Sequence, residues 1–377
     1  MLRRIISFIA ALAVSIVSIC VFALPAAASE YSDEVSDKLG SAVESALGDD
    51  AKKAIEQSGV TIDDEQGMGQ VSAGYILGYI WNSISEQISA PLGLLGRLLG
   101  IILICTMFSS LSDGSGDLSY ILGIVGTLSV VGVIYGHISS ALGLICDMLG
   151  ELNAFMLAYI PVFVSLLTSG GYVLSASGYY IVLIGICEVI SLFAERLIVP
   201  LCSVVLAVSI AESLCPLYSS RISAMMKRFI QWALGISATV FVGVLSIKSI
   251  VAGAADTVSV RAAKFTVSSF IPVIGGAISD AYTTVSGSLA LIRSAAGGFG
   301  IIAVTLTVIR PVAAVLTMSA AVRLASACAE ILGQSSISRL LSGVGDVLSI
   351  ILTIALLMSL IFIIATAIMM LICMNIA

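Results

Sequence analysis

Of 377 residues, 59% are hydrophobic and 11% are charged, with a mean hydropathy of +1.14. A soluble domain has about a quarter of its residues charged, so a single water-soluble core is excluded and lipid must act as solvent for much of the chain. The net charge of −6 argues against a nucleic-acid surface, because it is concentrated: residues 30–65 hold eleven Asp/Glu and three Lys, a local −8, and the remainder is about neutral to weakly positive.

The chain opens with Arg3 and Arg4, then the apolar run "IISFIAALAVSIVSICVFAL", then "LPAAASE". A positive start, an apolar core and small residues make a secretory signal peptide over 1–28, cut after Ala28. An uncleaved anchor helix is the alternative, and either reading puts residues 29–90 outside the cytoplasm. In that segment Val35, Leu39, Val43 and Leu47 recur every four positions, which predicts a short amphipathic helix in an acidic extracytoplasmic region. Residues 71–91, with Tyr75, Tyr79 and Trp81, read as an interfacial helix at headgroup level.

From residue 91 to 377 the chain reads as one transmembrane domain. A span needs about 20 mostly apolar residues, which predicts eight spans near 92–111, 118–138, 152–170, 173–194, 197–215, 229–250, 300–320 and 347–372. The second can extend to about 149. Arg221, Lys227 and Arg228 before the sixth span, and Arg323 and Arg339 before the last, place those connections in the cytoplasm. Lys248, Arg261, Lys264 and Arg293 then fall on or near the opposite side. The fold class is therefore an all-α polytopic membrane protein with a small acidic N-terminal extracytoplasmic region.

One stretch fits no span. "FIPVIGGAISDAYTTVSG", residues 270–287, carries a proline, a glycine pair and an aspartate. Pro272, Gly275 and Gly276, like Pro161 earlier, are candidate helix breaks, and 271–298 is predicted to be a re-entrant hairpin buried in protein or along a water-filled path. A shift of 111 positions lays Ile160-Pro161-Val162 on Ile271-Pro272-Val273, Pro200 on Pro311 and Arg228 on Arg339. That suggests parallel repeats over 152–250 and 263–361, with chance matching in a compositionally poor sequence as the alternative.

Chemistry-bearing patterns are sparse. No HExxH, GxSxG or P-loop pattern occurs, and His137 stands alone at a span end. The eight cysteines form no CxxC pair and sit mostly in apolar runs, so no catalytic residue, metal site or cofactor is expected. "AAGGFG" at 295–300 reads as a helix-packing or hinge element rather than a phosphate loop. Arg97, Glu188, Asp280, Arg293 and Arg310 lie in apolar runs or in the broken hairpin. A charge at the bilayer centre costs about 2.5–3.5 kcal/mol on insertion scales, so these five are candidates for a polar path or a subunit contact. For Glu188 and Arg310 an inward-facing position is expected.

The leader, the acidic exported segment, "AYIPVFVSLLTSGG" and above all "AADTVSVRAAKFTVSSFIPVIGGAISDAYTTVSGSLALIRSAAGGFG" resemble the stage III sporulation protein AE family. The resemblance implies a multi-pass protein of the mother-cell membrane around the engulfed forespore. It further implies a subunit of a channel-like, secretion-like complex joining the two cells, needed for late forespore gene expression. Its partners would be the other stage III sporulation membrane proteins, with a homo-oligomer left open. The family supplies no catalytic residue to carry over. The competing reading, prompted by the repeats and broken helices, is a self-sufficient secondary transporter of a small solute.

Overall fold

The computed structural model of the chain describes Lys52, Lys53, Ile55 and residues 73–374 except 112–115, 170–171, 193–195, 197, 215–220 and 271–274. The predicted signal peptide and the break at Pro272 lie outside the described residues. Among the described residues from 73 to 374, eight helices follow in order: α1 Ala73–Gln87, α2 Ser89–Leu111, α3 Gly116–Ser169, α4 Val173–Leu192, α5 Ile198–Leu214, α6 Arg221–Phe270, α7 Gly275–Ile331 and α8 Ser335–Met374. Proline placement helps to explain the boundaries. Pro91 and Pro200 stand in the first turns of α2 and α5, where a backbone N–H would lack an intrahelical partner anyway.

Contacts between helices set their directions. Near one end, here called the base, Gly126 of α3 lies against Cys105 of α2 and Ile337 of α8, and Gly343 of α8 against Ser209 of α5. There too Lys227 of α6 pairs with Asp346 of α8. Toward the other end, the crown, the Tyr159 hydroxyl of α3 donates to the Ala296 carbonyl of α7, and Gly297 lies against Met370 of α8. Asp256 of α6 meets the start of α4 at the same end. The described helices thus traverse the bundle six times: α1 and α2 together, α3, α4 and α5 together, α6, α7 and α8. The α7–α8 turn closes at the base, where Gly333 takes φ 77° and the Gln334 N–H reaches back to the Ala329 carbonyl at 2.9 Å.

Five stretches are long and apolar enough to cross a membrane: Gly78–Ser110, Gly123–Ser169, Lys227–Lys248, Ala296–Ile331 and Ser335–Ile368. Val173–Val189 and Pro200–Leu214 are shorter. The centre is α7 packed on α8 and flanked by α3; the most apolar windows of α7 and α8 are 56% and 61% buried, against 12% for that of α6. On α3, Phe155, Tyr159 and Phe163 form an aromatic ladder with ring centroids 5.5 and 5.7 Å apart, all three rings buried.

Three expectations change. The windows 118–138 and 152–170 belong to one helix, α3, of 54 residues. The intervening "ISSALGLICDMLGE" contains no proline, Gly143 and Gly150 cost a helix only about 1 kcal/mol each, and Pro161 is carried inside the helix. Windows 173–194 and 197–215 run in the same direction as two pieces of one traverse. At 17 residues α5 covers about 26 Å at 1.5 Å per residue, short of a hydrocarbon core of about 30 Å. The expected hairpin over 271–298 is instead helical from Gly275 onward, continuing to Ile331 without reversal. The glycine pair opens α7 rather than bending it, and the Ser and Thr residues that follow cost a helix at most about 0.7 kcal/mol each. Helix ends also do not recur at the 111-residue shift: the connection at 170–172 maps onto 281–283, inside α7.

Candidate functional site: polar pins between long helices

The first pin joins α6 to α4. Asp256 is 4% exposed, and its two carboxylate oxygens accept the backbone N–H groups of Leu174 at 3.1 Å and Ser175 at 2.7 Å. These are among the first N–H groups of α4, which have no partner within the helix. A carboxylate there also meets the positive end of the helix dipole. A side chain about 80 residues away in sequence therefore does the work of an N-cap, and it fixes the register of α6 against α4.

A second group lies toward the base. Lys227 forms an ion pair with Asp346, with side-chain exposures of 13% and 35%. Nearby, the Arg323 guanidinium donates to Ser349 Oγ at 2.5 Å, and Ser349 in turn donates to the Gly345 carbonyl at 2.8 Å. Asp346 retains a third of its exposure, so the pair falls between a surface bridge, worth about 0–1 kcal/mol, and a buried one, whose disruption costs about 3–5 kcal/mol. It holds α6 to the α7–α8 pair.

A third pin joins α1 to α7. Arg310 Nη2 reaches Glu86 Oε2 at 3.1 Å, and Gln87 Nε2 donates to the Arg310 carbonyl at 3.1 Å. Arg310 immediately precedes Pro311, which is carried inside α7. An interior proline lacks the N–H that would reach the carbonyl four residues back, here that of Thr307. The Gln87 amide falls on the Arg310 carbonyl, and so ties α1 to α7 rather than replacing that lost bond.

Small residues set the closest approaches. A Cβ on Gly300 would fall 2.8 Å from the Tyr159 ring, and one on Gly343 2.5 Å from Ser209 Cβ. A Cβ on Gly297 would fall 2.9 Å from Met370 Cβ. "AAGGFG" is therefore a packing element between α3, α7 and α8, the small-residue contact that lets membrane helices approach.

The residues singled out in the sequence are not gathered into one centre. Arg97 is exposed on α2, Glu188 is exposed on α4, and Pro161 is exposed on α3. Arg310 is half-buried at the α1 contact. Asp280 and Arg293 belong to α7, with side chains outside the described set; Pro272 lies outside it altogether; Gly275 and Gly276 begin α7. Sequence reasoning passed over Asp256, Lys227, Asp346 and Glu86 as pins. Asp256 carried a usable signal: it is the one acid in "AGAADTVSVRAAKF", inside a helix-compatible run. Among the described residues no group of three or more His, Cys, Asp or Glu could hold a metal ion.

The family model described as "Stage III sporulation protein AE" matches residues 57–373, and so takes in all eight helices and every pin. The chain belongs to the stage III sporulation protein AE family. Membership in that family implies a role in stage III of sporulation. A relative, "Stage III sporulation protein AE" of Bacillus subtilis (strain 168), is 25% identical over 252 residues, 63% of this chain and 61% of the relative. The chain thus spans about three fifths of the length of that relative. No solved structure matches the chain.

Proposed function

We propose that the chain is an integral membrane subunit of the channel-like complex that links mother cell and engulfed forespore, acting by assembly and conduction rather than by catalysis. The observation that carries this reading is the family match over 57–373, joined to a bundle whose helices outreach a bilayer. At 1.5 Å per residue α3, α6 and α7 are about 81, 75 and 86 Å long, against a hydrocarbon core of about 30 Å. Helices of that length extend beyond the lipid, where other proteins can engage them.

In this reading the base faces the mother-cell cytoplasm. Arg221, Lys227, Arg228, Arg323 and Arg339 cluster toward that end, as the positive-inside rule favours. The crown, with the acidic N-terminal segment, faces the space between the two membranes. The partners are the other stage III sporulation membrane proteins.

The test is purification of the tagged full-length protein from sporulating cells in mild detergent. The proposal expects a large assembly in which other sporulation membrane proteins co-elute in fixed proportion. A monodisperse particle of this chain alone that carries a small solute across vesicles would replace the proposal with the secondary-transporter reading.

A further inference from the structure

The outer face of α6 is apolar along almost its whole length. Met225, Phe229, Val240, Val251, Val258 and Phe265 are each more than half exposed, and from 225 to 265 they cover about 60 Å at 1.5 Å per residue. Lipid can cover about 30 Å of that. The span Lys227–Lys248 already accounts for about 33 Å, and it ends on an exposed lysine. Residues 249–270 therefore project beyond it at the crown, with Val251 at 63%, Val258 at 67% and Phe265 at 72% exposure. At 100° per residue these three lie roughly 180–220° around the helix from Asp256, whose carboxylate faces α4. They form one stripe on the side away from the bundle. Its charged neighbours are basic: Lys248 and Arg261 are exposed, and Lys264 follows in sequence.

An apolar stripe outside lipid needs a protein cover. A second copy would bring the same cations to this face. The chain itself carries a better match. Residues 30–55 hold seven Asp/Glu and three Lys, a local −4, and the stripe Val35, Leu39, Val43 and Leu47. Their C-terminal part is already tied to the bundle, because Ile55 is 5% exposed within the main core cluster. The chain then enters the bundle through α1, whose start lies toward the crown, the end at which α6 projects.

We propose that the acidic N-terminal segment, residues 30–55, folds back on the projecting half of α6, laying its apolar stripe along Val251, Val258 and Phe265 and its carboxylates beside Lys248 and Arg261. The contact is partly ionic and exposed, so it is sensitive to salt.

A photo-crosslinking amino acid at Val258 in the full-length protein, in native membranes, tests this. The expected adduct migrates as a monomer, and mass spectrometry places it within residues 30–55. Raising salt from roughly 0.05 to 0.5 M shortens the screening length from about 14 to about 4 Å and should cut its yield several-fold. The variant Arg261→Glu should do the same at low salt. A dimer-sized adduct, an adduct to lipid or to another protein alone, or a yield indifferent to salt in the unaltered protein would overturn the proposal. None of these results bears on whether the chain co-purifies with sporulation proteins, so the two readings fail separately.

Discussion

Tyr159 and Gly300 show how tightly the crown side of the bundle is specified. The Tyr159 ring fills the space that a side chain at position 300 would need, and its hydroxyl is held by the Ala296 carbonyl one turn earlier. Gly300→Ala should therefore destabilise the protein by about 1–3 kcal/mol, the usual cost of overpacking. Gly297→Ala should cost a similar amount, because the atom it meets is Met370 Cβ, which moves only with the backbone of α8. Thermal unfolding in detergent of the two single variants checks both losses. Asp256 makes a sharper case. Asp256→Ala leaves two N–H groups at the start of α4 without their acceptors, a loss of about 2–3 kcal/mol. Asp256→Asn keeps one oxygen acceptor but loses the charge, so it should fall between the wild type and the alanine variant in the same measurement. Equal stability of all three would remove the pin from the account.

At the scale of elements, the sequence marked where lipid-compatible helix lies but not where helix stops. A window of about 20 apolar residues sets a minimum length and no maximum. Nothing in "ISSALGLICDMLGE" ends a helix, so two predicted windows join as α3. The prolines misled for a related reason. Pro161, read as a candidate break, lies inside α3, as Pro311 lies inside α7, and an interior proline removes one backbone hydrogen bond without having to end the helix. The pins were hidden because each is half of a pair distant in sequence: Lys227 was legible only as a loop charge, and Glu86 only as part of an interfacial helix. The role of "AAGGFG" in packing was legible, since three glycines and two alanines so close together have few other uses in an apolar run. A test at this scale concerns Lys227 and Asp346. Lys227→Ala or Asp346→Ala alone should lower stability by about 1–3 kcal/mol, between the surface and buried limits for an ion pair. The double variant Lys227→Met with Asp346→Leu should recover much of it, because no lone charge remains. If the double variant is as unstable as the sum of the single losses, the two side chains act independently.

At the scale of the whole molecule, the six traverses link the fold to the proposed role. With an even number, the ends of α2, α5 and α7 share the base, while the ends of α3 and α6 share the crown with the start of α1. The C-terminal half of α6 is then at one end of the bundle, and Lys227, Arg323 and Arg339 lie toward the other. The eight-span reading differs at one accessible place, because it puts 170–172 on the same side as 215–220. A cysteine-free full-length protein carrying either Gly171→Cys or Ser219→Cys separates the two, with an impermeant maleimide added to intact, oriented membranes. The six-traverse bundle predicts that position 171 reacts from the outer face, while position 219 reacts only after the membrane is opened. Labelling of both positions from the same face would contradict it.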